Sequence, residues 1–122
     1  MQNRALRLGP VALTGTLATT IFNTKITSLA GPAGYTQTQP YSILTHLRVV
    51  NTTSGPLAVS LFIGAAATAA AGTEFGFSAK VVAAYDYIDW YGRERLENTD
   101  YLCGGSTTTG LTISGEGEIG LT

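Results

Sequence analysis

The chain has little charge. Of its 122 residues only 12% are Asp, Glu, Lys or Arg, against roughly 25% in an ordinary soluble domain. The net charge is -1, so no basic surface points to nucleic acid or to an anionic membrane. One cysteine, Cys103, excludes an intrachain disulfide and any cysteine-based zinc site, since both need further ligands. It reads as a small buried hydrophobe. Long apolar runs are also missing. The most apolar part, Leu57 to Gly72, is shorter than the ~20 residues that a membrane-spanning helix needs. Arg4 and Arg7 precede Leu8 to Leu13, but Pro10, Thr14, Gly15 and Thr16 break the run that a secretory signal would require. No helical pattern is long enough for a βαβ crossover.

What is present is alternation. Ile43 to Val50 places Ile43, Thr45, Leu47 and Val49 on one face and Leu44, His46, Arg48 and Val50 on the other. Leu57 to Ile63 places Leu57, Val59, Leu61 and Ile63 on one face. A period of two, rich in β-branched residues, marks half-buried strands. Between them Asn51 to Pro56 holds reversal residues, so the stretch reads as a β-hairpin with Leu47, Val49, Val59 and Leu61 in the core. Both faces of the first strand are partly apolar, which places it away from a sheet edge.

Taken in order, Met1 to Pro10 reads as an N-terminal arm. Val11 to Ile21 reads as a strand kinked at Gly15, and Phe22 to Leu29 as a second short strand. Ala30 to Pro40 is a long loop carrying Tyr35. Gly64 to Thr73 is Ala-rich, and a short helix and an irregular loop suit it equally. Phe75 to Ala83 alternates again. Tyr85 to Tyr101 begins as a strand and ends as a loop. Leu111 to Leu121 is the cleanest alternation in the chain, a long final strand. The expectation is an all-β fold, an antiparallel β-sandwich, jelly-roll-like or immunoglobulin-like, of seven to eight short strands. Residues 11–122 would form that single domain behind the arm of residues 1–10.

Catalytic constellations are hard to assemble from this inventory. His46 is the one histidine and sits in a strand beside Arg48, the position of a structural side chain. The acids Asp86, Asp89, Glu94, Glu97 and Asp100 are interleaved with Arg93, Arg95 and aromatics. That spacing suits mutual salt bridges in an exposed loop better than a calcium loop, which needs ligands at alternate positions around a glycine. No phosphate loop and no nucleophile elbow are present. The expectation is a non-enzyme without catalytic, cofactor or metal residues.

With the strands placed, the sequence resembles the small β-sandwich virion proteins of tailed bacteriophages. Tyr41 to Asn51, a strand ending in Val50-Asn51, followed by Ser54-Gly55-Pro56 and a strand ending in Ile63-Gly64, is similar to their central hairpin. Leu96 to Leu102 is similar to their turn before a late strand, with Thr99-Asp100 where Gly-Asp is usual. The closing strand Leu111 to Leu121 also fits. The resemblance implies a head decoration (cement) protein on the capsid surface, or alternatively a tail, tail-tip or receptor-binding subunit. It implies the major capsid protein or other virion subunits as partners. Low charge points separately to copies of the chain itself, a trimer first. Arg4, Leu6, Arg7 and Leu8 of the arm, with Tyr35 and Tyr41, are the candidate contact residues. A reading from another class is a carbohydrate-binding sandwich with Trp90, Tyr87 and Tyr91 as a stacking platform.

Overall fold

The computed structural model describes residues 4–17, 19–23, 29–30, 36–37, 41–65, 72–97 and 99–120. Ten strands and, among the described residues, no helix follow one another: β1 (Arg4–Ala12), β2 (Thr19–Asn23), β3 (Leu29–Ala30), β4 (Thr36–Gln37), β5 (Tyr41–Asn51), β6 (Leu57–Gly64), β7 (Lys80–Val82), β8 (Tyr87–Leu96), β9 (Tyr101–Ser106) and β10 (Leu111–Gly120). Two antiparallel four-stranded sheets form, in the orders β1-β10-β5-β8 and β2-β9-β6-β7, and β3 and β4 pair as a separate ribbon. With that ribbon set aside, the first four strands pair one to one with the last four in reverse: β1 with β10, β2 with β9, β5 with β8 and β6 with β7. This is the jelly roll, a long antiparallel ribbon wrapped into two facing sheets. Of the two sandwich types expected, the immunoglobulin-like one is thereby set aside.

The core is the layer between the sheets. One sheet contributes Leu8, Leu44, Leu47, Val49, Leu96, Leu111 and Ile113, and the other Ile21, Leu57, Val59, Leu61, Val82 and Leu102. Leu47, Val49, Val59 and Leu61 are fully buried, as their alternation predicts. Burying each such side chain stabilises the fold by roughly 1.5–3 kcal/mol. β5 lies between β10 and β8, the central place that its two apolar faces suggest.

Several local expectations are corrected. β5 and β6 do not form a hairpin, because they belong to different sheets and Asn51 to Pro56 carries the chain across the sandwich. The faces of β5 do not run uniformly either. The register with β10 slips between Glu116 and Gly117, where β5 holds one residue more. This bulge at Thr45, whose hydroxyl donates to the Glu116 carbonyl, turns both Leu44 and Leu47 inward. The expected strand Val11 to Ile21 is two strands, since the chain passes from one sheet to the other between Ala12 and Thr19. The expected arm is mostly β1, from Arg4 onward. Its Leu6 and Leu8 stand opposite Gly117 and Gly115 of β10. The expected strand Phe75 to Ala83 is reduced to β7, because Gly76 and Ala79 have positive φ, 70° and 51°, which an extended strand cannot hold. The loop expected within Tyr85 to Tyr101 is instead the second half of β8. The Ala-rich run and most of the loop Ala30 to Pro40 lie outside the described residues.

Asn51 organises the crossing. It is buried, and its side chain uses its whole bonding capacity. Its Nδ2 donates to the Gly55 and Val82 carbonyls at 2.9 and 3.0 Å. Its Oδ1 accepts from the Thr53 amide at 2.9 Å and the Thr53 hydroxyl at 2.6 Å. Its backbone amide bonds the Asp86 carbonyl at 2.8 Å. One side chain thus shapes the β5–β6 connection and ties it to β7 in the opposite sheet.

Two predictions follow from this packing. Asn51→Ala strands the buried Val82 carbonyl, at a cost of about 1–3 kcal/mol, and removes the part-buried bonds to Gly55 and Thr53, so urea denaturation should show a loss of about 2 kcal/mol or more. Leu61→Ala should cost ~2–5 kcal/mol. Ser60→Ala should cost only the ~0.5–1.5 kcal/mol of one hydrogen bond, since Ser60 Oγ accepts from the Ala79 amide at 2.8 Å. Equal losses at Leu61 and Ser60 would contradict the register.

Candidate functional site

The charges are segregated. β2, β9, β6 and β7 carry only Lys80 between them. The other sheet carries Arg4 and Arg7 on β1, Arg48 on β5, Asp89, Arg93, Glu94 and Arg95 on β8, and Glu116 and Glu118 on β10. Alternation sends most of these to that sheet's outer face, where the register lines them up in rows. Arg7, Glu116, His46 and Tyr91 form one row across β1, β10, β5 and β8. Ser114, Arg48 and Asp89 form the next.

Asp89 is the centre. Arg48 grips it with two bonds, Nε to Oδ1 at 2.8 Å and a terminal nitrogen to Oδ2 at 3.2 Å. His46 Nε2 lies 2.9 Å from the same Oδ1. An ionised carboxylate only accepts, so Nε2 carries the proton and donates. The other ring nitrogen of His46 faces Glu116 at 3.8 Å. The Arg48 hydrogen bond, joined by that from His46, holds the Asp89 carboxyl below its ordinary range. The guanidinium of Arg48 is raised in turn, chiefly by the same bond. Aromatic rings frame the network. Tyr91 stacks on His46 with centroids 4.6 Å apart and planes 14° from parallel. Arg48 lies over the Tyr87 ring at 4.5 Å. Beside the network an open depression of about 470 Å³ is lined by Leu6, Arg7, His46, Arg48, Ser114 and Glu116, among others.

The candidate contact residues fall unevenly. Arg7 is exposed on this face and Leu6, half-buried, lines the depression. Leu8 is 1% exposed and is core, so it is closed to a partner. Arg4 lies on β1 opposite Ile119. Tyr41 is half-buried, with Arg95 over its ring at 3.9 Å and Gly120 opposite it, so its ring serves the sheet. Tyr35 lies outside the described residues. The carbohydrate platform loses a member: Trp90 turns inward, edge-on to Phe75 at 4.9 Å, while Tyr87 and Tyr91 point outward. The acids are not one mutually bridged loop either, because β8 is a strand and distributes them. Asp89 meets β5, Arg93 reaches Glu118 at 3.9 Å, and Arg95 bonds Glu97 at 2.6 Å.

The meeting of His46, Arg48 and Asp89 is the feature that sequence reasoning missed. Its signal was the shared parity of His46 and Arg48 and that of Tyr87, Asp89 and Tyr91. Reading it required knowing that β5 pairs with β8. Among the described residues no group of three or more His, Cys, Asp or Glu could hold a metal ion. No family model matches the sequence, and no curated protein is significantly similar to it.

The depressed Asp89 carboxyl sets a pH dependence. A carboxyl held low in the folded state contributes stability above its unfolded value, about 3.9. That stability is lost as pH falls through the lower, folded value. Asp89→Asn should therefore melt below the parent at pH 7, and the gap should close as pH drops below the ordinary carboxylate range. Thermal melts of the two proteins from neutral to acid pH read the gap directly.

Proposed function

We propose that the protein is a structural virion subunit, a decoration protein that binds the outside of a tailed-bacteriophage head through the outer face of β1-β10-β5-β8. The observation that carries this reading is the concentration of Arg, Tyr and carboxylate side chains on one sheet face, many already paired among themselves. Tyr and Arg are the residues that anchor interfaces. Side chains held in place before docking lose less freedom on docking. The resemblance of the closing strand to phage virion proteins, with that of the Tyr41–Gly64 sequence even though this stretch crosses between sheets and is not a hairpin, supplies the setting. Tail, tail-tip and receptor-binding positions are the alternative within that setting.

The geometry of His46 supports a non-catalytic role. One ring nitrogen is committed to Asp89 and the other faces Glu116. That second nitrogen, at 3.8 Å not hydrogen-bonded, faces an acid and not a nucleophile whose proton a general base would take. His46 thus orders the face together with Asp89.

The test is co-sedimentation of the full chain with bare heads of the phage that encodes it. Stoichiometric binding is expected. Arg7→Glu, which reverses an exposed charge, and Ser114→Tyr, which fills the depression, should each weaken it about tenfold or more, as loss of an interface anchor does. Failure to bind heads while binding purified tails would move the protein to the tail. Binding to neither, or binding indifferent to both variants, would overturn the reading.

A further inference from the structure

We propose that two copies of the chain pair edge to edge through β8, antiparallel about a two-fold axis at Tyr91. This pairing involves β8 alone and is independent of the virion reading.

The sandwich has four edge strands, β1 and β8 in one sheet and β2 and β7 in the other. Three of them offer little to a new strand. β7 has three residues and β2 has five. β1 is interrupted at Gly9-Pro10, where its register shifts and proline supplies no N–H. β8 runs for ten residues without a proline and pairs with β5 on one side, its register with β5 shifting once, between Tyr91 and Glu94. A long edge presents a row of backbone donors and acceptors, the template for strand addition.

The side chains on β8 suit a second copy of β8. Those on the outer face are Tyr87, Asp89, Tyr91, Arg93 and Arg95. A two-fold axis at Tyr91 sets residues equally far from it opposite one another. Asp89 then faces the second copy's Arg93, Tyr87 faces its Arg95, and Tyr91 faces Tyr91, each relation occurring in both directions. These are an opposite-charge pair, a cation–ring pair and an aromatic pair, the cross-strand combinations that favour pairing. On the inner face Trp90 stands opposite Gly92, whose open side each chain already covers with its own Trp90 ring, and Ile88 opposite Glu94 is the one mismatch. An axis at Trp90 would form no opposite-charge pair on this face. An axis at Gly92 would also form an opposite-charge pair, Asp89 with Arg95, and a cation–ring pair, Tyr91 with Arg93, but it would set glycine against glycine and Tyr87 against Glu97 and would lose the aromatic pair. The tyrosines and arginines concerned are accessible: Tyr87 and Tyr91 are 52% and 68% exposed, and the Arg93 side chain 66%. The product is one continuous sheet of eight strands across two copies, a closed isologous dimer in place of the trimer that the sequence suggested.

The test is sedimentation velocity of the full chain over a concentration series, with disulfide trapping beside it. A species of two copies is expected. Arg93→Asp puts like charges opposite one another, which opposes pairing, and should raise the dissociation constant about tenfold or more with an unchanged circular dichroism spectrum. Tyr91→Cys should cross-link to itself under mild oxidation, while Thr112→Cys, on the same face but on β10, should not. The native Cys103 is buried and serves as the silent background. A chain that stays monomeric throughout the series, or a dimer in which Tyr91→Cys fails to link, would overturn the proposal. So would a dimer that Arg93→Asp leaves unchanged.

Discussion

The two sheets must close over a single apolar layer, and everything else in the molecule answers to that. Neither sheet has a dry face without the other. Closure brings together parts of the chain that are far apart: Arg4 lies opposite Ile119, and Thr20 opposite Cys103. Such pairings carry a large loop-closure cost before any contact repays it, so the core has to be dense. Leucines do most of that work. β10 helps by carrying Gly115 and Gly117 between Leu8 and Leu47 and between Leu6 and Leu44. The Leu47 side chain comes within 2.7 Å of where a Cβ on Gly115 would stand.

Much of this fold was legible because alternation is a local property. The inward set on β6 and β10, and on β5 from Leu47 onward, could be read residue by residue, and the final strand came out nearly as it stands. Partnership is not local. A strand, six residues with turn chemistry, and a second strand describe a hairpin and a crossing between sheets equally well. The difference lies in where the buried Asn51 finds its partners, and one of them, the Val82 carbonyl, is distant in sequence. The bulge at Thr45 was hidden for a related reason. An extra residue shows itself only against a neighbouring strand, and the apolar Leu44 on the apparent outer face was its single trace.

The candidate site was legible in composition and illegible in arrangement. The aromatic and charged density of Tyr85 to Tyr101 stood out, yet it looked like a loop because Gly92 and alternating charges are unusual in a strand. As an edge strand β8 tolerates both, since only one of its sides pairs within the sheet and Asp89, Arg93 and Arg95 alternate onto the outer face. His46 was expected to be structural, and its place against Asp89 and Tyr91 fits that. What could not be foreseen was that β5 and β8 would bring Arg48 and Asp89 side by side and so convert scattered charges into one ordered face.

The glycines of β10 bear on how this chain can diverge over time. A methyl group at Gly115 would strike the carbonyl of His46, and one at Gly117 would strike the carbonyl of Ile43. Both obstacles are backbone, which no change of neighbouring side chain can clear. Leucines and valines in the core can drift among themselves when total volume is kept, and the exposed rows can change more freely still. A distant relative that has lost every other sign of kinship should therefore still show a Gly-x-Gly near the end of its last strand, and this spacing is the lineage mark to look for.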